Sequence, residues 1–150
     1  MGDFPGHIMT IILARLMEEN MIWLRNCWSD VGRVESATGM HPPGWVGDSP
    51  DPELKRGDYG PILQKLHDVN VHLCLAQTIM VFAAQLGAFC SENLDVVGTL
   101  QNSAGYPQLK QGKLARLREE VEFYEEVCRH SGEKFTELRS RVQAQVNVVS

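Results

Sequence analysis

Five histidines and four cysteines are the residues here that could hold a metal or attack a substrate, and their spacing points away from both. His7, His41, His67, His72 and His130 include no pair at i, i+4, and no cysteine stands at a zinc-ligand spacing from them. Cys27, Cys74, Cys90 and Cys128 lie far apart with no C-x-x-C. They read as reduced, buried thiols that pack like small hydrophobes. Glu122, Glu126, His130 and Glu133 recur near one helical face and could hold a divalent cation loosely through oxygen and imidazole donors. The plainer expectation for them is a solvated acidic face, so no metal site and no cofactor is assigned. Cys128 and His130 are two residues apart, and on a helix such neighbours point in different directions. Gly98 to Gly105 lacks the lysine and the strand-to-helix setting of a phosphate loop. No catalytic residue emerges, and the expectation is a protein that is not an enzyme.

Composition narrows the partners. The 150 residues are 43% hydrophobic and 22% charged with a formal net charge of −5, which suits a single soluble domain with a real core. Residues 1–108 hold 6 basic and 12 acidic side chains, and residues 109–150 hold 8 and 7. Neither part offers the clustered Lys and Arg that phosphate binding needs, so nucleic acid is not an expected partner. Asp3 stands where a secretion signal carries positive charge, and Gly6 where a myristoylation motif wants Ser or Thr.

Helical periodicity organises the rest. A first helix is predicted over about 7–36, with Ile12, Leu16, Trp23, Cys27, Val31 and Val34 on one face. TGMHPPGWVGDSPDPELKRGDYG follows, with four prolines and five glycines in 23 residues. Such a stretch breaks helix and strand alike, and a flexible loop is predicted over about 37–60. Pro61 suits a first helical turn and Asp58 a cap. From there Leu66, Val69, Leu73, Ala76, Met80, Ala83, Gly87, Cys90, Leu94 and Val97 alternate spacings of three and four, a heptad stripe on a second helix over about 61–97. GTLQNSAGYPQ is expected to end it. A third helix over about 109–149 repeats the stripe through Leu114, Leu117, Val121, Tyr124, Cys128, Phe135, Leu138, Val142 and Val149, with Ser131 and Gln145 as interruptions. Gly132 is expected to weaken or bend it by about 1 kcal/mol relative to Ala. The predicted fold is all-α: an elongated antiparallel three-helix bundle or coiled coil, one domain, with a long Pro/Gly-rich loop.

The second helix poses a membrane question. Val69 to Ser91 is 23 residues without Asp, Glu, Lys or Arg, on the order of 35 Å as a helix and close to a bilayer core. Asn70, His72, Gln77, Thr78 and Gln85 would lie at depth, where unpaired polar groups cost several kcal/mol each. The flanks are acidic, Asp68 before and Glu92 and Asp95 after, rather than basic. The heptad stripe instead predicts a buried middle helix, covered by neighbours on two or three sides.

The ending GEKFTELRSRVQAQVNVVS resembles the long stalk helix of fungal CorA-like divalent-cation transporters, just ahead of their membrane segments. The family's L-x-x-R-x-Q-x-Q-x-x-V-V run appears here as Leu138, Arg141, Gln143, Gln145, Val148 and Val149, with Arg139 at one of its open positions. The first helix, GHIMTIILARLMEENMIWLRNCWSDVGRVE, is similar to the family's Trp-containing helix that leads into a long loop. The resemblance implies a cytoplasmic helical region of a magnesium-type transporter. It would lack the pore, since the two membrane helices and the Gly-Met-Asn signature are missing, and could not transport alone. Gly39-Met40 is followed by His41 and is no substitute.

The competing expectation is a free-standing helical interaction module. The residues expected to mediate helix–helix interaction are Leu114, Leu117, Val121, Tyr124, Phe135, Leu138, Val142 and Val149. The expected partner is a homo-oligomer or another helical protein, with any membrane reached only through a C-terminal continuation.

Overall fold

In a computed structural model of the chain, residues 5–40, 52–55, 57–103 and 111–150 are described. They form three α-helices, α1 (Pro5–Thr38), α2 (Tyr59–Ser103) and α3 (Gln111–Val149), and no strand occurs among the described residues. The all-α, three-helix expectation therefore stands. α2 runs six residues past its predicted end at 97. Gly98 does not stop it, because one glycine in a helix costs only about 1 kcal/mol, and its position faces Leu114 at ordinary van der Waals distance.

The stripes on α2 and α3 become buried seams. On α2 the buried positions are 62, 66, 69, 73, 76, 80, 83, 87, 90 and 94, which repeat four-three throughout. On α3 they are 117, 121, 128, 131, 135, 138, 142, 145 and 149, with Leu114 and Tyr124 partly buried at the intervening stripe positions. Ser131 and Gln145, the polar interruptions, are buried in register with their apolar neighbours.

α1 corrects the predicted face over its first half. Ile12 is 45% exposed and Trp23 is 37% exposed, while Leu13 and Asn20 are buried. The apolar residues of IMTIILARLM surround the helix, so periodicity cannot select a face there, and the seam in fact passes through polar Thr10 and Asn20. From Cys27 onward, Cys27, Val31 and Val34 are buried as predicted.

The end of α1 shows how the chain leaves a helix. Gly39 has φ of 74°, and the Met40 amide donates to the Glu35 carbonyl at 3.1 Å. This is a glycine-terminated Schellman cap, in which a left-handed residue lets the chain reverse and satisfies a terminal carbonyl. Half of the predicted 37–60 loop, residues 41–51 and 56, lies outside the described residues. Of its described part, residues 37 and 38 still belong to α1, and Leu54 is buried rather than loose.

The chain groups into two compact units, and all three helices pass through both. The first comprises Met1–Asn20 and Ile79–Ser131. Its core is Leu13, Cys90, Leu94, Leu117 and Val121, with Met9, Leu86, Leu114 and Tyr124 packed against it. The second comprises Met21–Thr78 and Gly132–Ser150. There Ile62, Leu66, Leu73, Phe135 and Leu138 are at most 1% exposed, each worth about 1.5–3 kcal/mol of apolar transfer.

Candidate interaction surface

The eight residues expected to mediate helix–helix interaction face the chain's own helices. Leu114, Leu117, Val121 and Tyr124 come together in the core of the first unit. Phe135, Leu138, Val142 and Val149 are buried in the second. Around them, polar side chains tie the helices. In the second unit Thr38 Oγ1 donates to Gln145 Oε1 at 2.7 Å, and Gln145 Nε2 donates to the Met40 carbonyl at 2.9 Å. The apparent interruption at Gln145 thus fastens the end of α1 to α3. Trp23 meets His72 edge-on at 5.2 Å between ring centroids, and Lys65 pairs with Asp30 at 2.9 Å. In the first unit Arg118 pairs with Asp95 at 2.6 Å.

The unexpected surface is the opposite side of α2. Leu75 is 52% exposed, Phe82 55%, Phe89 54% and Val96 52%. These four are spaced by seven residues and so share one heptad position, about 100° or more from the buried seam. Val71 and Val81 are exposed beside them. The buried stripe alone does not disclose this face, although its seven-residue spacing is present in the sequence. The predicted buried middle helix is corrected accordingly: only a third of its most apolar stretch is buried. The physical reason is that packing covers the heptad stripe of α2 and leaves its other positions exposed.

No known protein family matches this chain, and neither does any curated protein or solved structure.

By length and composition α2 could cross a membrane. Its neighbours tell against that reading. In the second unit Arg139 donates to Gln77 Oε1 at 2.9 Å, and in the first unit Gly87 lies against the Glu125 side chain. Both α2 residues fall inside the uncharged run, so a span would carry the charges of α3 into hydrocarbon at several kcal/mol each.

Other candidate chemistry is sparse among the described residues. No three His, Cys, Asp or Glu side chains gather to hold a metal. Of the acidic face considered above, Glu126 is engaged by Arg129, whose guanidinium hydrogen bond holds its carboxyl below the ordinary value. All four cysteines are unpaired. Cys27, Cys90 and Cys128 are buried as expected, and burial raises all three thiols, Cys27 to about 11. Cys74 departs from the expectation: it is exposed, next to Leu75 on α2. The second unit also has a groove of about 680 Å³ between α2 and α3, lined among others by Leu66, His67, Asn70, Gln77, Arg139 and Gln143.

Proposed function

We propose that this chain is a non-catalytic helical interaction module that docks a partner on the outer face of α2. The observation that carries the reading is an exposed apolar heptad position on a helix with no charged residue from Val69 to Ser91. Exposed contiguous apolar surface of this kind marks protein-binding or lipid-binding sites rather than ordinary solvent-facing helix. As for the finer architecture, an antiparallel coiled coil is supported by the pairs Trp23–His72 and Asp30–Lys65, whose numbers rise on one helix as they fall on the other. Gln77–Arg139 and Asp95–Arg118 support the same for α2 and α3. Four unpaired thiols support a reducing, cytoplasmic setting.

Cys74 provides the test in the unaltered protein. Its thiol lies on the exposed side of α2 while the other three are buried. Maleimide labelling of Cys74 should be fast in dilute purified protein and slowed in intact cells, where a partner covers the face. Equal labelling in both settings would remove the docking reading.

A second reading keeps the resemblance to CorA-like transporters. It is favoured by the matching residues lying on one helix that stays packed as far as Val149. Reading the transcript beyond the codon for Ser150 tests it, since two apolar spans with a Gly-Met-Asn signature are required.

A further inference from the structure

We propose that the groove of about 680 Å³ between α2 and α3 in the second unit binds a small apolar carboxylate, an alkyl or aryl body with one carboxylate head. The site is separate from the outer face of α2 and does not rest on the docking reading. Arg139 sets the charge of the ligand. Of the five arginines on α3, Arg116 pairs with Glu120, Arg118 with Asp95, Arg129 with Glu126 and Arg141 with Glu35. Arg139 has no carboxylate partner among the described residues. Its Nη1 donates to Gln77 Oε1 at 2.9 Å, a neutral acceptor, and its other N–H groups are left for a ligand. This happens in a chain of net charge −5. No Asp or Glu lines the groove, and none stands three or four residues from Arg139 on α3. A guanidinium left without an anion presents the planar fork that a carboxylate fits with two hydrogen bonds.

The rest of the lining fixes the rest of the ligand. Asn70 and Gln143 offer neutral N–H donors. Leu63, Leu66, Val142 and Val146 supply the apolar wall. Leu66 and Val142 are buried, whereas Leu63 keeps 39% of its surface exposed and Val146 is partly exposed. A hydrocarbon body laid over Leu63 and Val146 removes from water apolar surface that the protein alone leaves wet. From Gln77 to Leu63 the lining stretch of α2 spans about 21 Å at 1.5 Å per residue. A head on Arg139 and a tail over Leu63 therefore describe an extended ligand. The volume is that of a small-molecule site, and a few polar groups on an apolar wall are its usual lining. No lysine and no second arginine lines the groove. One cation matches the single charge of a carboxylate, whereas a doubly charged phosphate would leave half its charge unmatched. A cationic ligand would meet Arg139 with no acid to hold it.

Titration of the full chain with sodium decanoate, followed by calorimetry and by nuclear magnetic resonance of side-chain amides, tests the site. The expected result is one decanoate per chain, with the amide resonances of Asn70, Gln77 and Gln143 shifting together. Arg139→Gln should weaken binding by roughly 10–100-fold, since hydrogen bonds to a charged group are lost. Decanol, which lacks the charge, should bind the wild-type chain more weakly by a similar factor. Leu63→Asp is an independent variant at the other end of the groove and should also weaken decanoate. Arg139 and Leu63 are both exposed, so helix content should be retained in both variants. Absence of saturable binding at millimolar decanoate overturns the inference, as does an affinity indifferent to both variants. Decanol binding as tightly as decanoate overturns it too, because the charge then plays no part. Shifts confined to the residues around Phe82 and Phe89 also overturn it, in favour of adhesion to the outer face of α2. Partner docking is read separately by the labelling of Cys74, so the two proposals fail independently.

Discussion

Arg141 grips both carboxylate oxygens of Glu35, Nε donating to Oε1 at 2.8 Å and Nη2 to Oε2 at 2.5 Å. The two side chains keep only 14% and 4% of their surface exposed. The guanidinium also lies 4.7 Å from the centre of the Trp28 ring. Glu35 belongs to the last turns of α1 and Arg141 to α3, so this pair and the Thr38–Gln145–Met40 hydrogen bonds fasten the same helix end within the second unit. Two ions leave water here, and the fork-shaped pairing with an aromatic face is what offsets their desolvation.

Removing one partner should cost more than removing both. Arg141→Ala leaves a buried carboxylate alone, and a loss of about 3–5 kcal/mol in chemical denaturation is expected. The double change Glu35→Leu with Arg141→Met should recover most of it. Equal losses from the single and double variants would show that the ion pair itself, not the orphaned charge, carries the stability.

Gly132 is a gap in α3 that can be filled. A β-carbon built there meets nothing within 4 Å, and the helix is unbroken from Gln111 to Val149. The expected bend is not needed to position neighbours, so Gly132→Ala should stabilise the fold by about 0.5–1 kcal/mol through reduced freedom of the unfolded chain. Differential scanning calorimetry reads this as a raised midpoint. A lowered midpoint would mean that the glycine serves an approach absent from the single chain.

Cys27 makes stability depend on alkaline pH. Burial, followed by the nearby Asp30 carboxylate, raises its thiol from 9.0 to about 11, against a smaller opposing pull from Lys65. The folded state therefore keeps its proton where the unfolded state releases it. That contribution is complete below pH 9 and is lost as pH rises from 9 through 11, about 3 kcal/mol in all. Urea unfolding at pH 8 and pH 10.5 should show the decline in wild type and a shallower one in Cys27→Ala. Identical slopes in the two proteins would refute the assignment.

Much of this arrangement can be read from residue types alone, and the exceptions have physical causes. The α2 and α3 seams are legible because Leu66 through Leu94 and Leu117 through Val149 place apolar residues at nearly every third and fourth position, with polar ones between. The first half of α1 is not, because Ile8, Ile11, Ile12 and Leu13 supply apolar groups on all sides and burial is decided by tertiary contacts. Gln145 reads as a flaw in a stripe until the Met40 carbonyl it satisfies is in view. The bidentate partner of Glu35 lies 106 residues away, beyond any local pattern. The outer seam of α2 lies between these cases: its spacing is local, but only the placement of α1 and α3 reveals which of two apolar faces stays open.

Asn20 brings the same distinction to a single side chain. It occupies a seam position of α1 at 2% exposure. Its Nδ2 donates to the Leu16 carbonyl at 2.8 Å, while Oδ1 has no hydrogen-bond partner among the described residues. A buried acceptor left unpaired costs about 1–3 kcal/mol, and a lone asparagine in a heptad seam is a known means of fixing register at the expense of stability. Asn20→Leu should therefore raise the unfolding free energy by about 1–3 kcal/mol. If register is what Asn20 protects, the same variant should show broadened amide resonances in the first unit, or additional oligomers in sedimentation. Asn20→Asp should do the opposite and destabilise by several kcal/mol, because an ionised carboxylate would be placed in the same dry position. A leucine variant less stable than wild type would show that Oδ1 is satisfied in solution by a bound water and that the amide belongs to a complete polar network.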